Sequence, residues 1–88
     1  MEFEYDPDKS ASNKLKHGID FEEAKEIWLD YDLAEIDFDS SAECRFAVIG
    51  LVDEKYWTAI CTIRNERIRI ISVRRSREKE IAIYDKGE

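Results

Sequence analysis

RNERIRIISVRRSREKE, residues 64–80, runs through a turn, a strand and the start of a helix in succession. Arg64-Asn65-Glu66 is a polar triplet between two apolar runs and reads as the turn. Residues 67–73 read as a strand, because Ile68 and Ile70 alternate with Arg67 and Arg69. Ile71 and Val73 then continue the arginine face as apolar positions. Arg74-Arg75-Ser76 breaks the pattern, and residues 76–86 read as a helix with Ser76 as N-cap, Lys79 at the third position, and Ile81 and Tyr84 three apart. The segment carries Arg64, Arg67, Arg69, Arg74, Arg75, Arg77 and Lys79 against Glu66, Glu78 and Glu80. On a chain of net charge −7, such a positive stretch is a local site and suits the handling of phosphate.

Upstream lies a nearly continuous apolar run, CRFAVIGLV at 44–52, which predicts a strand covered on both faces for part of its length. Asp53-Glu54-Lys55 is a turn, and 56–63 is the next strand. Two consecutive turns of about three residues predict an antiparallel meander, since parallel neighbours need long crossovers. Residues 31–39 place Leu33, Ile36 and Phe38 among acids, which fits either a loop or an edge strand.

The front of the chain predicts a helical hairpin over 6–29. Asp6 is an N-cap and Pro7 suits the first helical position. Ala11 and Leu15, four apart, form the expected core stripe of the first helix, which ends at His17-Gly18. Asp20 with Glu23 three residues later has capping-box spacing, and Phe21, Ala24, Ile27 and Trp28 make one apolar face. Phe3 and Tyr5 alternate with Glu2 and Glu4 in a short edge strand. The order is β-α-α-(β)-β-β-β-α, and the class is α+β: a helical hairpin on a small antiparallel sheet with a C-terminal helix, one domain over 1–88.

Composition narrows the classes. A hydrophobic share of 43% argues for a folded domain and against disorder. No apolar run reaches the roughly 20 residues of a membrane span, and MEFEYDPDK has neither part of a signal peptide, so a cytoplasmic location is expected. Cys44 and Cys61 lack CxxC partners and are expected to be free, buried thiols; no metal or cofactor is implied. Between Asp20 and Glu43 ten acids face Lys25 alone. This stretch is either a solvated face or a pole for a basic partner.

Several motifs, taken in order, resemble one family. They are Phe3-Glu4-Tyr5-Asp6 with Lys9 and Asn13; Lys16-His17-Gly18-Ile19 with Phe21 and Ala24; Arg45 and Gly50; Thr62 and Arg64; and Arg69-Ile70-Ile71-Ser72-Val73-Arg74 with Glu80 and Tyr84. Together they resemble the BrnT toxins of bacterial type II toxin–antitoxin systems, within the RelE/ParE-like group. The resemblance implies a RelE-like fold and a metal-independent endoribonuclease that cleaves mRNA and inhibits translation. It also implies a cognate BrnA-type ribbon-helix-helix antitoxin, with DNA met only through that antitoxin. A gyrase-directed toxin and a non-catalytic binding module are the alternatives.

Metal-free RNA cleavage uses the 2′-OH as nucleophile, and it needs proton transfers and charge stabilisation at the phosphoryl oxygens. Arginine suits the second task because it grips phosphate with two donors. Arg74 and Arg75, where strand meets helix, and Arg64, at the other end of the strand, are the candidates there. His17 and Glu80 are candidate proton carriers; otherwise His17 caps its helix and Glu80 pairs with an arginine. Lys14, Lys16, Arg67, Arg69, Arg77 and Tyr84 are candidate RNA contacts. For these, solvated lysines, a charged strand edge and a packed tyrosine are the competing uses. A single histidine excludes a paired-histidine design.

Overall fold

The computed structural model describes residues 1–38 and 44–87. Asp39 and Glu43 of the acidic stretch, and the last residue of the strand expected over 31–39, lie outside the described residues. The elements are β1 (Phe3–Glu4), α1 (Pro7–His17), α2 (Phe21–Ala24), a 3₁₀ segment (Lys25–Leu29), β2 (Ala34–Phe38), β3 (Arg45–Val52), β4 (Lys55–Arg64), β5 (Arg67–Arg75) and α3 (Glu78–Asp85). The class is α+β, with one five-stranded sheet in the order β1-β5-β4-β3-β2.

The meander β2-β3-β4-β5 is antiparallel throughout, as its short turns require. The sheet as a whole is mixed, not antiparallel, because β1 lies parallel to β5 with Phe3 opposite Ile68 and Glu4 opposite Arg69. No turn joins these two strands, so nothing local sets their direction. Both hairpin turns are one residue shorter than expected. Asp53-Glu54 and Asn65-Glu66 are two-residue loops with φ positive at every position: 51°, 66°, 53° and 65°. Two left-handed residues in succession match the right-handed twist of the flanking strands, which is why Lys55 and Arg64 join the ladders.

One face of the sheet carries Val48, Val52, Trp57, Ala59, Cys61, Ile70 and Val73, and it packs on Ile19, Phe21, Ala24 and Ile27. The expected second helix begins as predicted, with Asp20 and Glu23 in a reciprocal capping box. After Ala24 it tightens into the 3₁₀ segment. Phe21, Ala24 and Ile27 recur every three residues, a spacing that a 3₁₀ turn stacks in line. The segment lies directly on Gly50, where an added Cβ would stand 2.9 Å from Ile27 Cγ2 and 3.0 Å from the Ile27 carbonyl oxygen.

Three further expectations are corrected. α1 does not bury Ala11 and Leu15; both are exposed, and Leu15 is 91% exposed. It buries Ser10 and Asn13 instead, because α1 lies along β5 beyond the short β1, where strand backbone needs partners. The Asn13 amide donates to the Val73 carbonyl at 2.9 Å and to the Ile19 carbonyl at 2.8 Å, and accepts the Val73 N–H at 3.2 Å. Ser10 Oγ accepts the Phe21 N–H at 2.8 Å. Second, α3 is capped one residue later than predicted, at Arg77 and not at Ser76. Ser76 meets Thr58 Oγ1 at 2.7 Å, while the Glu80 carboxylate takes the Arg77 N–H at 2.8 Å. A guanidinium cannot accept, so Arg77 as N-cap offers no side-chain bond in return. Third, Cys61 is buried but Cys44 is exposed.

β5 also carries a bulge. Cys61 is opposite Ile70 and Ile60 opposite Ser72, which leaves Ile71 as the extra residue. Ile71 and Val73 therefore do not continue the arginine face. Val73 joins Ile70 in the core, while Arg69, opposite Thr62, and Arg74, opposite Thr58, share the other face. Five residues apart on a regular strand, these two arginines would point in opposite directions.

Candidate nucleic-acid interface

The bulge shapes a basic trough. On the sheet face away from α1 and α2, Arg45 is opposite Thr62, and Thr62 is opposite Arg69 in the next strand; Arg64 is opposite Arg67 two pairs further on. Lys9 reaches this region from α1. Together Lys9, Arg45, Thr62, Arg64, Arg69 and Ile71 line a cleft of about 170 Å³. Thr62 donates its hydroxyl to the Cys44 carbonyl at 2.6 Å, which ties the start of β3 to β4 beside Arg45. Arg69 donates to Glu4 at 3.1 Å, so the parallel pairing of β1 sets the direction of that guanidinium. At contact distance each such cation attracts a phosphate by about 1 to 4 kcal/mol, from bulk water to a protein surface.

A second depression adjoins the first and shares Lys9 and Ile71 with it. Lys9, Ser12, Asn13, Lys16, His17, Phe21, Ile71 and Ser72 line it. Because the Asn13 amide clamps α1 to Val73, Lys9, Lys16 and His17 are held along the β5 bulge. His17 is half-buried in the last turn of α1, just before Gly18 takes φ 87° and donates its N–H to the Lys14 carbonyl. The two depressions form one open path from Arg64 to His17.

A different group of predicted residues fastens α3 to the sheet. Arg74 forks onto Glu80, Nη1 to Oε1 at 2.8 Å and Nη2 to Oε2 at 2.8 Å. Glu80 Oε1 also accepts from Thr58 Oγ1 at 3.0 Å and from the Arg77 N–H at 2.8 Å. These donors, the Arg74 guanidinium foremost, hold the Glu80 carboxyl down at about 2 despite its burial. Tyr84 donates to Asp30 Oδ2 at 2.7 Å, and burial together with that carboxylate raises the phenol above its ordinary value. Asp30 is itself structural: burial pushes its carboxyl upward, but Tyr84 and the N–H groups of Asp32 and Leu51 outweigh this and hold it low.

The structure thus divides the predicted residues. Arg64, Arg69, Lys16 and His17 lie along the path. Arg67 sits beside its end, exposed and paired with Glu2 at 2.9 Å. Lys14 is on the other flank of α1, paired with Glu23 at 2.9 Å. Arg74, Glu80 and Tyr84 belong to the α3 attachment. Arg75 and Arg77 are exposed near that attachment, with Arg75 5.5 Å over the Trp57 ring and donating Nε to the Tyr56 carbonyl. Lys9 and Arg45 line the cleft without having been singled out as site residues. Their signal was present in the motifs at Lys9/Asn13 and Arg45/Gly50, but only strand register places them beside Arg64 and Arg69.

The model of one protein family, described as the ribonuclease toxin BrnT of type II toxin–antitoxin systems, matches residues 5–80. No curated protein matches the chain.

Proposed function

The chain belongs to the BrnT ribonuclease toxins of type II toxin–antitoxin systems, and from that premise we propose that it cleaves mRNA without a metal ion, with the scissile phosphate in the Lys9/Arg45/Arg64/Arg69 cleft. One observation supports this reading above others. A chain of net charge −7 gathers four cations from α1, β3, β4 and β5 into one small cleft.

The reaction is an in-line attack. The RNA 2′-OH loses its proton and bonds to the adjacent phosphorus. Charge builds on the phosphoryl oxygens, and the P–O5′ bond breaks as the 5′ oxygen takes up a proton. The products are a 2′,3′-cyclic phosphate and a 5′-OH. Arg45, Arg64 and Arg69 supply fixed donors where that charge develops, and Lys9 adds a point charge; preorganised donors of this kind carry much of such a rate. His17 is the proton carrier in this reading, since its imidazole is the side chain on the path that can take a proton at one ring nitrogen and give one from the other. Lys16 and Arg67 contact phosphates on either side of the scissile bond.

Arg74, Arg75 and Glu80 enter in a supporting place. The Arg74 fork and both Glu80 oxygens are already occupied by each other, so we assign them the positioning of α3. Arg75 and Arg77 offer outer phosphate contacts, and Tyr84 acts through Asp30. The architecture is read as RelE-like. Among the described residues no helix is long and apolar enough to cross a membrane, and we place the protein in the cytoplasm. Its antitoxin partner is read as BrnA-like, with a ribbon-helix-helix domain through which alone DNA is met.

Purified protein in a chelating buffer is expected to cleave mRNA and leave 5′-OH ends. Arg64→Ala and Arg45→Ala should each slow cleavage by about a hundredfold, the scale of losing one preorganised donor. An inert wild type would refute the ribonuclease reading. Undiminished cleavage by the double variant would move the scissile phosphate elsewhere.

A further inference from the structure

α1 is built with its polar side in and an apolar strip out. Pro7, Ala11 and Leu15 recur every four residues on one side of the helix. All three are exposed, Leu15 to 91%, while the positions facing the sheet are Ser10 and Asn13. A leucine so exposed adds little to the core, and here it extends an apolar strip with Pro7 and Ala11. Beside this strip, towards the start of α2, lies a groove of about 580 Å³ lined by Tyr5, Pro7, Ser10, Ala11, Lys14, Leu15, Asp20 and Glu22. Its acids are Asp20 and Glu22 in the lining, Glu23 paired with the lining Lys14, and Asp6 and Asp8 on either side of Pro7 in the chain. The two lysines there are committed to internal pairs, Lys14 to Glu23 at 2.9 Å and Lys25 to Glu22 at 3.0 Å.

We infer that this outer flank of α1 docks the antitoxin, through a segment that presents an apolar anchor flanked by lysines or arginines. The inference rests on the toxin–antitoxin reading. Charge complementarity selects the occupant. A second copy of this chain would set acidic rim against acidic rim, and RNA would meet the same repulsion. A basic segment finds an apolar seat at Leu15 and opposite charge around it. At 100° per residue the Pro7, Ala11 and Leu15 strip centres roughly 130° round α1 from Lys9, Ser12 and Lys16, so the docking surface and the basic path lie on different sides of one helix and adjoin where Leu15 neighbours Ser12.

The test is a titration of the toxin with the purified antitoxin encoded beside its gene, at low and at high salt. It compares the wild type with Leu15→Glu and Leu15→Met, and measures RNA cleavage on the same samples. Leu15→Glu should weaken binding by about thirtyfold or more, the scale of losing an anchor residue, with cleavage and melting unchanged. Leu15→Met keeps the apolar anchor and should bind within about threefold of wild type, less than the cost of deleting a methylene or two. Wild-type binding should weaken as salt rises. Equal affinity of Leu15→Glu and wild type would overturn the docking surface and leave the toxin–antitoxin reading intact. A wild type that binds no antitoxin would overturn both. A wild type that is dimeric alone, and that Leu15→Glu makes monomeric, would assign the flank to a second copy and overturn the proposal.

Discussion

Arg74→Ala should unlatch α3, and its cost can be worked from the contacts it removes. Glu80 is 9% exposed and receives the whole Arg74 fork. Its carboxyl stands at about 2 against an ordinary 4.5. At about 1.4 kcal/mol per pH unit, the complete donor set therefore favours the folded carboxylate by roughly 3 kcal/mol. Thr58 and the Arg77 N–H remain in the variant, so Arg74→Ala should lose about 2 kcal/mol, less than the roughly 3–5 kcal/mol of a buried pair broken outright. For a domain of this size that lowers the melting temperature by about 10 °C. The pH dependence follows from the depressed folded value. The stabilisation is complete above the unfolded value near 4.5 and is lost as the pH falls towards 2. Melting followed by circular dichroism should show the variant well below wild type at neutral pH, with the gap closing under acid. An Arg74→Ala protein that melts with wild type at neutral pH yet loses RNA cleavage a hundredfold would refute the latch and make Arg74 a direct phosphate donor.

Asn13→Ala should cost about 2–3 kcal/mol, because it strands the buried Val73 N–H and the Val73 and Ile19 carbonyls; hydrogen exchange at Val73 should accelerate, and unchanged protection would mean that α1 is held by other means. Gly50→Ala should destabilise by about 1–3 kcal/mol through the contact with Ile27; wild-type melting would show that the 3₁₀ segment moves away freely. Glu66→Gly relieves a left-handed φ of 65° and should stabilise by about half a kcal/mol after the larger unfolded-state entropy of glycine is subtracted; a fall in the urea midpoint would contradict the strain.

Much of the chain is legible in order of residues because the forces are local. Asp6-Pro7, Gly18 and the Asp20/Glu23 box mark helix ends by groups that satisfy backbone a few positions away. The short polar links at 53–54 and 65–66 force antiparallel neighbours, and with them the meander. The motifs that resemble BrnT lie in the same order from Phe3 to Tyr84, and the matching family model spans residues 5–80. The concentration of arginine after residue 63 marks the segment that supplies Arg64 and Arg69 to the proposed phosphate cleft.

What remained hidden depends on contacts between distant parts of the chain. No pattern in MEFEY sets β1 parallel to β5, and so none points Arg69 at Glu4. The bulge at Ile71 has no local mark, yet it turns Val73 into the core and puts Arg74 on the face of Arg69. Hydrophobic spacing assigned Ala11 and Leu15 to the core, but an unpaired length of β5 needed hydrogen bonds more than apolar cover, and Asn13 supplied them. Glu80 reads either as a proton carrier or as the partner of an arginine; only tertiary packing selects the pair and closes it on Arg74, while register brings Lys9 and Arg45 to Arg64 and Arg69. Capping and turn chemistry act within a few residues and are written in the sequence, whereas register and edge pairing are decided across the whole sheet.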